Sequence, residues 1–342
     1  MKIFMCVDAF HAEEGYGIIK RGFEALGHEV YFYGVMFHMA ETFKDSKDKQ
    51  ADINMDVIKK MKEFKTDIFL CKISHTIDPV TIEIINSFGI TTCYYSNDDP
   101  HLLLTNKNIG QLVTKFQHIF TCCEGSIESY YKKIGCDAHY WLTSIDPEMY
   151  YKDIDVTYDC DIAFLATNIY PKEVFKHTQF QRKDIINKLL DNGITNIKLY
   201  GVGQEWFGWL SKFNSDAERF KPYYQGFIKH EEAKKAYSNA KICLNSHVNP
   251  GRKYLNERTF EIMACGSLEL CDNTGNLEEL FDINNEIVLY NSLDELVEKI
   301  KYYLNNEEER NRIATNGMNM VRSKHNNIER IKEFFACLNI KS

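Results

Sequence analysis

Short apolar runs alternate with helix-period segments along most of this 342-residue chain, and that alternation limits its fold more than any other feature. "KIFMCV" (2–7), "EVYFYG" (29–34), "DIFLCKI" (67–73), "TTCYYS" (91–96) and "HIFTCC" (118–123) read as strands. Between and after them, "GIIKRGFEALG" (17–27), "DVIKKMKEF" (56–64), "PVTIEIINSFG" (79–89) and "EGSIESYYKKIG" (124–135) read as helices. A β-α-β-α order of this kind predicts a mainly parallel, doubly wound sheet with helices on both faces. Residues 35–55 are polar and irregular, and the pattern assigns them nothing.

The alternation pauses at "LTSIDPEMYYKDIDVTYD" (142–159), read as a connection between domains, and then resumes. The second series has strands at "CDIAFLA" (160–166), "NIKLYG" (196–201), "KICLNS" (241–246), "SLELC" (267–271) and "EIVLY" (286–290). Its helices are "QRKDIINKLLDNG" (181–193), "HEEAKKAYSNA" (230–240), a segment beginning near Asn256, and "LDELVEKIKYYL" (293–304). Amphipathic helices at 306–323 and 326–338 close the chain. The expected architecture is α/β: two Rossmann-like doubly wound domains facing a central cleft. They would span 1–150 and 151–325, and a final helix (326–342) would cross back to the first.

Composition narrows the partners. Asp and Glu number 49 against 41 Lys and Arg, a net charge of −8, which disfavours nucleic acid. The eleven cysteines form no C-x-x-C pair and sit mostly inside apolar runs, as reduced thiols of a cytoplasmic protein would. No ligand spacing suggests zinc, so neither metal nor cofactor is expected. No apolar run is long enough to span a membrane.

In doubly wound domains ligands lie at strand carboxyl ends and helix starts. Two helix starts stand out. After the first strand, "DAFHAEEGYG" places Asp8, His11, Gly15 and Gly17 together. The glycines would let the backbone approach a ligand, and Asp8 or His11 could act as a general base. An ordinary glycine-containing turn with capping or packing side chains is the plainer alternative. The second start is "YLNERTFEIMACGSLEL" (254–270). Asn256 is a candidate cap, and Glu257 and Glu261 share a helix face. Phe260, Ile262, Met263 and Cys265 would be buried, and Gly266 would stop the helix. Glu261 could take both hydroxyls of a ribose, or could be a surface carboxylate paired with Arg258 or Lys253.

This second stretch resembles the donor-binding segment of GT-B glycosyltransferases, and more narrowly the CgeB-type, spore-maturation-protein-like family. The resemblance rests on the N-x-R-x-F-E-x-x-x-x-G core, here Asn256, Arg258, Phe260, Glu261 and Gly266. "YYQGFIKHEEAKKAYSNAKICLNSH" and the tail "NEIVLYNSLDELVEKIKYYLNNEEERNRIATNG" are similar to the same family. So, in the first half, are "GITTCYYSNDDPH" and "HIFTCCEGSIESYYKKIGCDAHYW".

The resemblance implies that the second domain binds a nucleotide-sugar, a UDP-sugar being favoured, and that its sugar passes to an acceptor hydroxyl. Glu261 would hold the ribose, with Asn256 beside it. Tyr224, Gly226 and Phe227 would border the base. Arg182 would neutralise the departing diphosphate, with Arg252, Lys253 and Arg258 as competing cations. Acceptor contacts would come from His11, Gly15, His75, Asp98 and Asp99. The acceptor could be a glycan, a lipid-linked sugar, a protein or a small molecule. Asp98-Asp99 is read as orienting the acceptor rather than binding metal, so the transfer is expected to be metal-independent. Two positions depart from the pattern. Lys253 stands where many retaining members carry a glutamate, and Ala166 replaces a glycine. The departures leave open retention versus inversion. They also keep in view a non-catalytic spore or surface assembly protein, and the pair of Rossmann-like halves leaves a second alternative, a nucleotide-sugar epimerase on the same fold. Glu261→Ala is expected to abolish turnover with little change in melting temperature.

Overall fold

A computed structural model describes residues 1–10, 16–72, 76–97, 107–166, 180–201, 217–247 and 253–341. The chain divides into two compact units. Residues 1–144 and 327–342 form the first, and 145–326 the second.

The first unit is built on a six-stranded parallel sheet of order β2-β1-β3-β4-β5-β6. Its strands are β1 (Lys2–Val7), β2 (Glu29–Gly34), β3 (Ile68–Lys72), β4 (Thr91–Ser96), β5 (His118–Thr121) and β6 (Ala138–Tyr140). Among the helices that accompany them are α1 (Gly17–Ala25), α2 (Lys49–Phe64), α3 (Pro79–Ser87) and α4 (Lys107–Val113). Successive strand residues point to opposite faces, so one apolar run supplies two cores. Phe4 and Cys6 pack with Val57, Met61 and Ile82 on one face. Ile3 and Met5 pack with Phe23 and Trp141 on the other.

The second unit repeats the plan with sheet order β12-β11-β10-β7-β8-β9. Its strands are β7 (Cys160–Leu165), β8 (Ile197–Gly201), β9 (Tyr224–Phe227), β10 (Ala240–Asn245), β11 (Leu268–Asp272) and β12 (Val288–Tyr290). Its helices are α5 (Arg182–Asp191), α6 (Ala233–Ser238), α7 (Glu257–Ala264), α8 (Leu293–Asn305) and α9 (Glu307–Lys324). All its described strand pairs are parallel.

Several places differ from the sequence reading, and α4 is a helix that the pattern did not assign. Residues 35–55, left unassigned, hold short turns over 35–42 and then the start of α2, seven residues before the expected helix. Asp48 caps it, accepting from the Ala51 amide at 3.1 Å, and Ile53 extends the buried stripe of Val57 and Met61. The expected helix over 124–135 is instead a chain of short turns of α, π and 3-10 form. Gly125, Ser126 and Ser129 are weak helix formers, and the Ser129 hydroxyl bonds back to the Gly125 carbonyl at 2.6 Å. Edge strands β6 and β9 were not foreseen, being three and four residues long with little apolar content.

The last helix, α10 (Asn327–Cys337), belongs to the first unit and lies against α1. Gly22 makes the approach close: a Cβ there would stand 2.8 Å from Ile331 Cγ1 and 2.9 Å from the Asn327 carbonyl oxygen. Phe334 is fully buried among Phe23, Phe120, Trp141 and Phe335. The Trp141 indole donates to the Arg330 carbonyl at 2.9 Å. Removing this ring should therefore cost a full core side chain. We expect Phe334→Ala to destabilise the first unit by about 3–5 kcal/mol in urea unfolding. A cost under about 1 kcal/mol would mean that α10 is not stably docked.

Candidate functional site

Strand order in the second unit reverses between β7 and β10, and in doubly wound sheets the crevice that holds a ligand lies at the carboxyl ends of the strands where the order reverses. Asn245 ends β10 there and is fully buried. It forms a reciprocal amide pair with Asn256: Nδ2 donates to Asn256 Oδ1 at 2.9 Å, and Asn256 Nδ2 donates back to Asn245 Oδ1 at 3.0 Å. Thr259 Oγ1 and Glu269 Oε1 lie 3.1 and 3.0 Å from the same Asn245 nitrogen. Asn256 occupies the cap position of α7 but makes no side-chain cap bond. This corrects the capping expectation: its amide is engaged by Asn245 instead.

Two guanidinium groups meet this strand end. Arg182, the first residue of α5, is buried, and its Nε donates to Ser246 Oγ at 3.2 Å. Half-buried Arg258, in the first turn of α7, reaches Asn245 Oδ1 through Nε at 3.3 Å. Both cations thus stand at helix starts, whose amides already favour an anion. The acids nearby are held quiet. Asp272 ends β11 and accepts from the His247 amide and from His247 Nδ1, the latter at 2.8 Å. Glu269 is fully enclosed, and burial above all pushes its carboxyl up to about 8, with Asp272 adding to the rise. Asn245, Thr259 and Arg258 act against the rise.

Glu261 lies on α7 one turn beyond Arg258 and is only 3% exposed. It accepts from the Tyr237 hydroxyl at 3.0 Å. Burial first, and then the charge of Glu261, push the Tyr150 and Tyr237 phenols far above their ordinary value. The Tyr150 hydroxyl also lies 2.9 Å from His230 Nδ1. Glu261 is therefore not a surface carboxylate paired with Arg258 or Lys253. Lys253 is buried, has a positive φ of 48°, and bonds Glu279 through its ammonium at 2.7 Å. The helix ends as expected, with Gly266 at φ 76° and Phe260, Ile262, Met263 and Cys265 buried.

The other expected positions are dispersed. Tyr224 is half-buried against the core of the second unit, Gly226 has φ 98°, and Phe227 is 55% exposed, all on edge strand β9. Gly17 is buried at the start of α1. Ala166 is buried and is not among the residues with positive φ, so alanine is unstrained there. His11, Gly15, His75, Asp98, Asp99 and Arg252 lie outside the described residues.

A glycosyl transferase-like family model matches residues 181–336, a span that holds all of the crevice residues just described from Arg182 onward. No curated protein sequence matches the chain. Several solved structures are similar over nearly all of both chains. Anabaena Alr3699/HepE in complex with UDP-glucose has a TM-score of 0.69 at 13% identity, covering 99% of each chain. Sucrose-phosphate synthase from Thermosynechococcus elongatus has 0.67 at 11%, covering 99% of this chain and 98% of that one. A Rickettsia africae glycosyltransferase also has 0.67 at 11%, with the same coverage. The fold is GT-B.

Within this GT-B fold, several polar residues at the strand ends had no signal in the sequence. Asn245 and Ser246 read only as the end of the strand "KICLNS", Glu269 only as part of the strand "SLELC", and His247 was given no role. The first unit holds a counterpart. Its order reverses between β1 and β3, and Lys72 ends β3 there, buried, with Nζ 4.4 Å from the Tyr16 ring centroid. A lysine closing an apolar strand was the only hint.

Glu269 gives the GT-B second unit a pH signature. Its folded-state value of about 8 lies above the ordinary 4.5. Its contribution to stability is therefore full below about 4.5 and is lost as pH rises to about 8. Glu269→Gln cannot ionise. Between about pH 6 and about pH 9 its melting temperature should fall less than that of the wild type. Parallel curves for the two proteins would show that Glu269 ionises normally.

Proposed function

We propose that this chain is a glycosyltransferase that takes a nucleoside diphosphate sugar, UDP-sugar being favoured, at the carboxyl ends of β7 and β10. The observation that carries the reading is the convergence of Arg182 and Arg258 on Ser246 and Asn245 at that crevice. Sugar transfer breaks the bond between the anomeric carbon and the diphosphate oxygen, and negative charge grows on the leaving phosphate. Two fixed guanidinium groups beside two helix starts stabilise that charge as it forms. Glu261 takes the ribose hydroxyls, its carboxylate held in place by Tyr237. Lys253 has no part in this reading, because its ammonium pairs with Glu279.

Support for UDP comes from the similar HepE structures, which contain UDP or UDP-glucose. We place the chain near the CgeB-type members on the motif around Arg258 and Glu261, with a metal-independent transfer in the cytoplasm. No helix among the described residues is long and apolar enough to cross a membrane. The acceptor is a hydroxyl compound recognised by the first unit, where His11, His75, Asp98 and Asp99 remain the proposed contacts.

Among UDP, GDP, TDP, CDP and ADP, one diphosphate should raise the melting temperature, and we expect UDP. Ligand at about a hundred times its Kd adds roughly 2.7 kcal/mol, easily seen in a thermal shift. Silence from all five would overturn the donor site. Conversion of a UDP-sugar without acceptor would point to an epimerase.

Arg182→Ala should lower kcat by about 10²–10³-fold, as loss of a charge-stabilising donor does elsewhere. A normal rate in a donor-turnover assay would remove Arg182 from the mechanism. For Glu261 the burial changes the earlier expectation. Glu261→Ala strands the buried Tyr237 hydroxyl and should itself cost about 1–3 kcal/mol of stability. Glu261→Gln keeps the shape and is the cleaner test, expected to raise the UDP Kd by about tenfold or more. An unchanged Kd would dismiss the ribose contact.

A further inference from the structure

The edge of the first unit carries a cluster that the donor chemistry does not use. Strands β5 and β6 run parallel, with Ile119 opposite Ala138 and Phe120 opposite His139. The Ile119 amide donates to the Asp137 carbonyl at 2.8 Å, fixing the register at the strand starts. His118 then faces Asp137, and His139, two residues on, shares their side of the sheet. His118 Nδ1 lies 3.1 Å from Asp137 Oδ2, and His139 Nε2 lies 3.4 Å from the same oxygen. The two ring nitrogens are themselves 3.4 Å apart.

Those three distances are close to one number. A tetrahedral zinc ion bound at about 2.05 Å has neighbouring ligand atoms about 3.3 Å apart. The triangle thus has the size of one face of a zinc coordination tetrahedron. Hydrogen bonding alone explains it less well, because two ring N–H groups would be aimed at a single oxygen while crowding each other. One cation replaces both protons. The His139 ring rests 5.2 Å from the Phe120 ring, which limits its rotation.

We propose that His118, Asp137 and His139 form a binding site for a divalent transition metal, with zinc as the reference ion. Two imidazoles and a carboxylate suit zinc or cobalt rather than magnesium. The Asp137 side chain is 61% exposed, so the site is open on one side and water can complete it. Its position argues for a structural clamp. His118 starts β5 and Asp137 precedes β6, so the cluster sits at the amino ends of the strands, opposite the carboxyl ends where ligands bind in such sheets. The ion ties the three-residue edge strand β6 to β5. No sequence pattern signals it, since His118 and Asp137 are 19 residues apart and come together only through the sheet.

The test is equilibrium dialysis of the full chain with any polyhistidine tag removed, in a Cys337→Ser background. Ten of the eleven cysteines are buried and Cys337 is half-buried, so that background removes the most accessible thiol. We expect one equivalent of zinc, a higher melting temperature with zinc than with magnesium, and loss of both in His118→Ala and in His139→Gln. Far-UV circular dichroism of each variant checks that it folds. Cobalt(II) added to the protein without those two histidine changes gives a readout that needs no ligand variant: the intense visible band of a four-coordinate ion. Binding unchanged in both histidine variants, or a cobalt spectrum identical to the free hydrated ion, would overturn the site.

Discussion

The amide pair between Asn245 and Asn256 is the interaction on which the second unit's crevice depends. It joins the end of the central strand β10 to the start of α7, with both side chains buried. A buried carboxamide is costly unless all its donors and acceptors are met, so the pair specifies one arrangement rather than merely favouring it. Once it is made, Thr259 is drawn to the same nitrogen and Arg258 to the same oxygen. The guanidinium of Arg258 is thereby aimed by the fold and not by a ligand. Arg182 is aimed in the same way, through Ser246, the residue next to Asn245.

Preorganisation of this kind suits a reaction in which charge leaves on a phosphate. A flexible cation must reorganise as the charge appears, whereas one already held in a dry pocket does not. The structure also removes the obvious competitors. Lys253 could have been a third cation, but Glu279 takes its ammonium. Asp272 could have attracted the arginines, but His247 occupies its oxygens.

The fold was legible because it depends on period. Runs such as "IFMCV" (3–7) are apolar at every position, since both sheet faces are covered, and the helices between them show their stripes. What escaped notice was short or polar. Strands β6 and β9 offer the eye only a few mixed residues, and the turn series over 124–134 imitates a helix in the spacing of Ile127, Tyr130, Tyr131 and Ile134 rather than in composition. The site was legible in part. Arg182, Arg258 and Glu261 could be named because a motif frames them. Ser246 and Glu269 could not, because their role comes from strand neighbours, and Asn245 stood only as the last residue of a strand pattern. Glu269 sits opposite Cys243 in the sheet register, two residues before Asn245, a relation that sequence distance hides. Asn256 was named both in that motif and as a cap: it does stand at the cap position, but its side chain bonds Asn245 instead of the helix amides.

Glu269 completes the electrostatic account. An ionised carboxylate buried behind two arginines would cancel part of the field they offer an anion. Enclosure in the protein lifts its value to about 8, so at neutral pH it is mainly uncharged. Its ionised form is the one that burial penalises, and it would be penalised further by a diphosphate held nearby. At the proposed donor site, diphosphate binding and protonation of Glu269 would therefore favour each other. The network can keep an acid in its core, as a hydrogen-bonding anchor for Asn245, without cancelling the positive charge of Arg258 beside it.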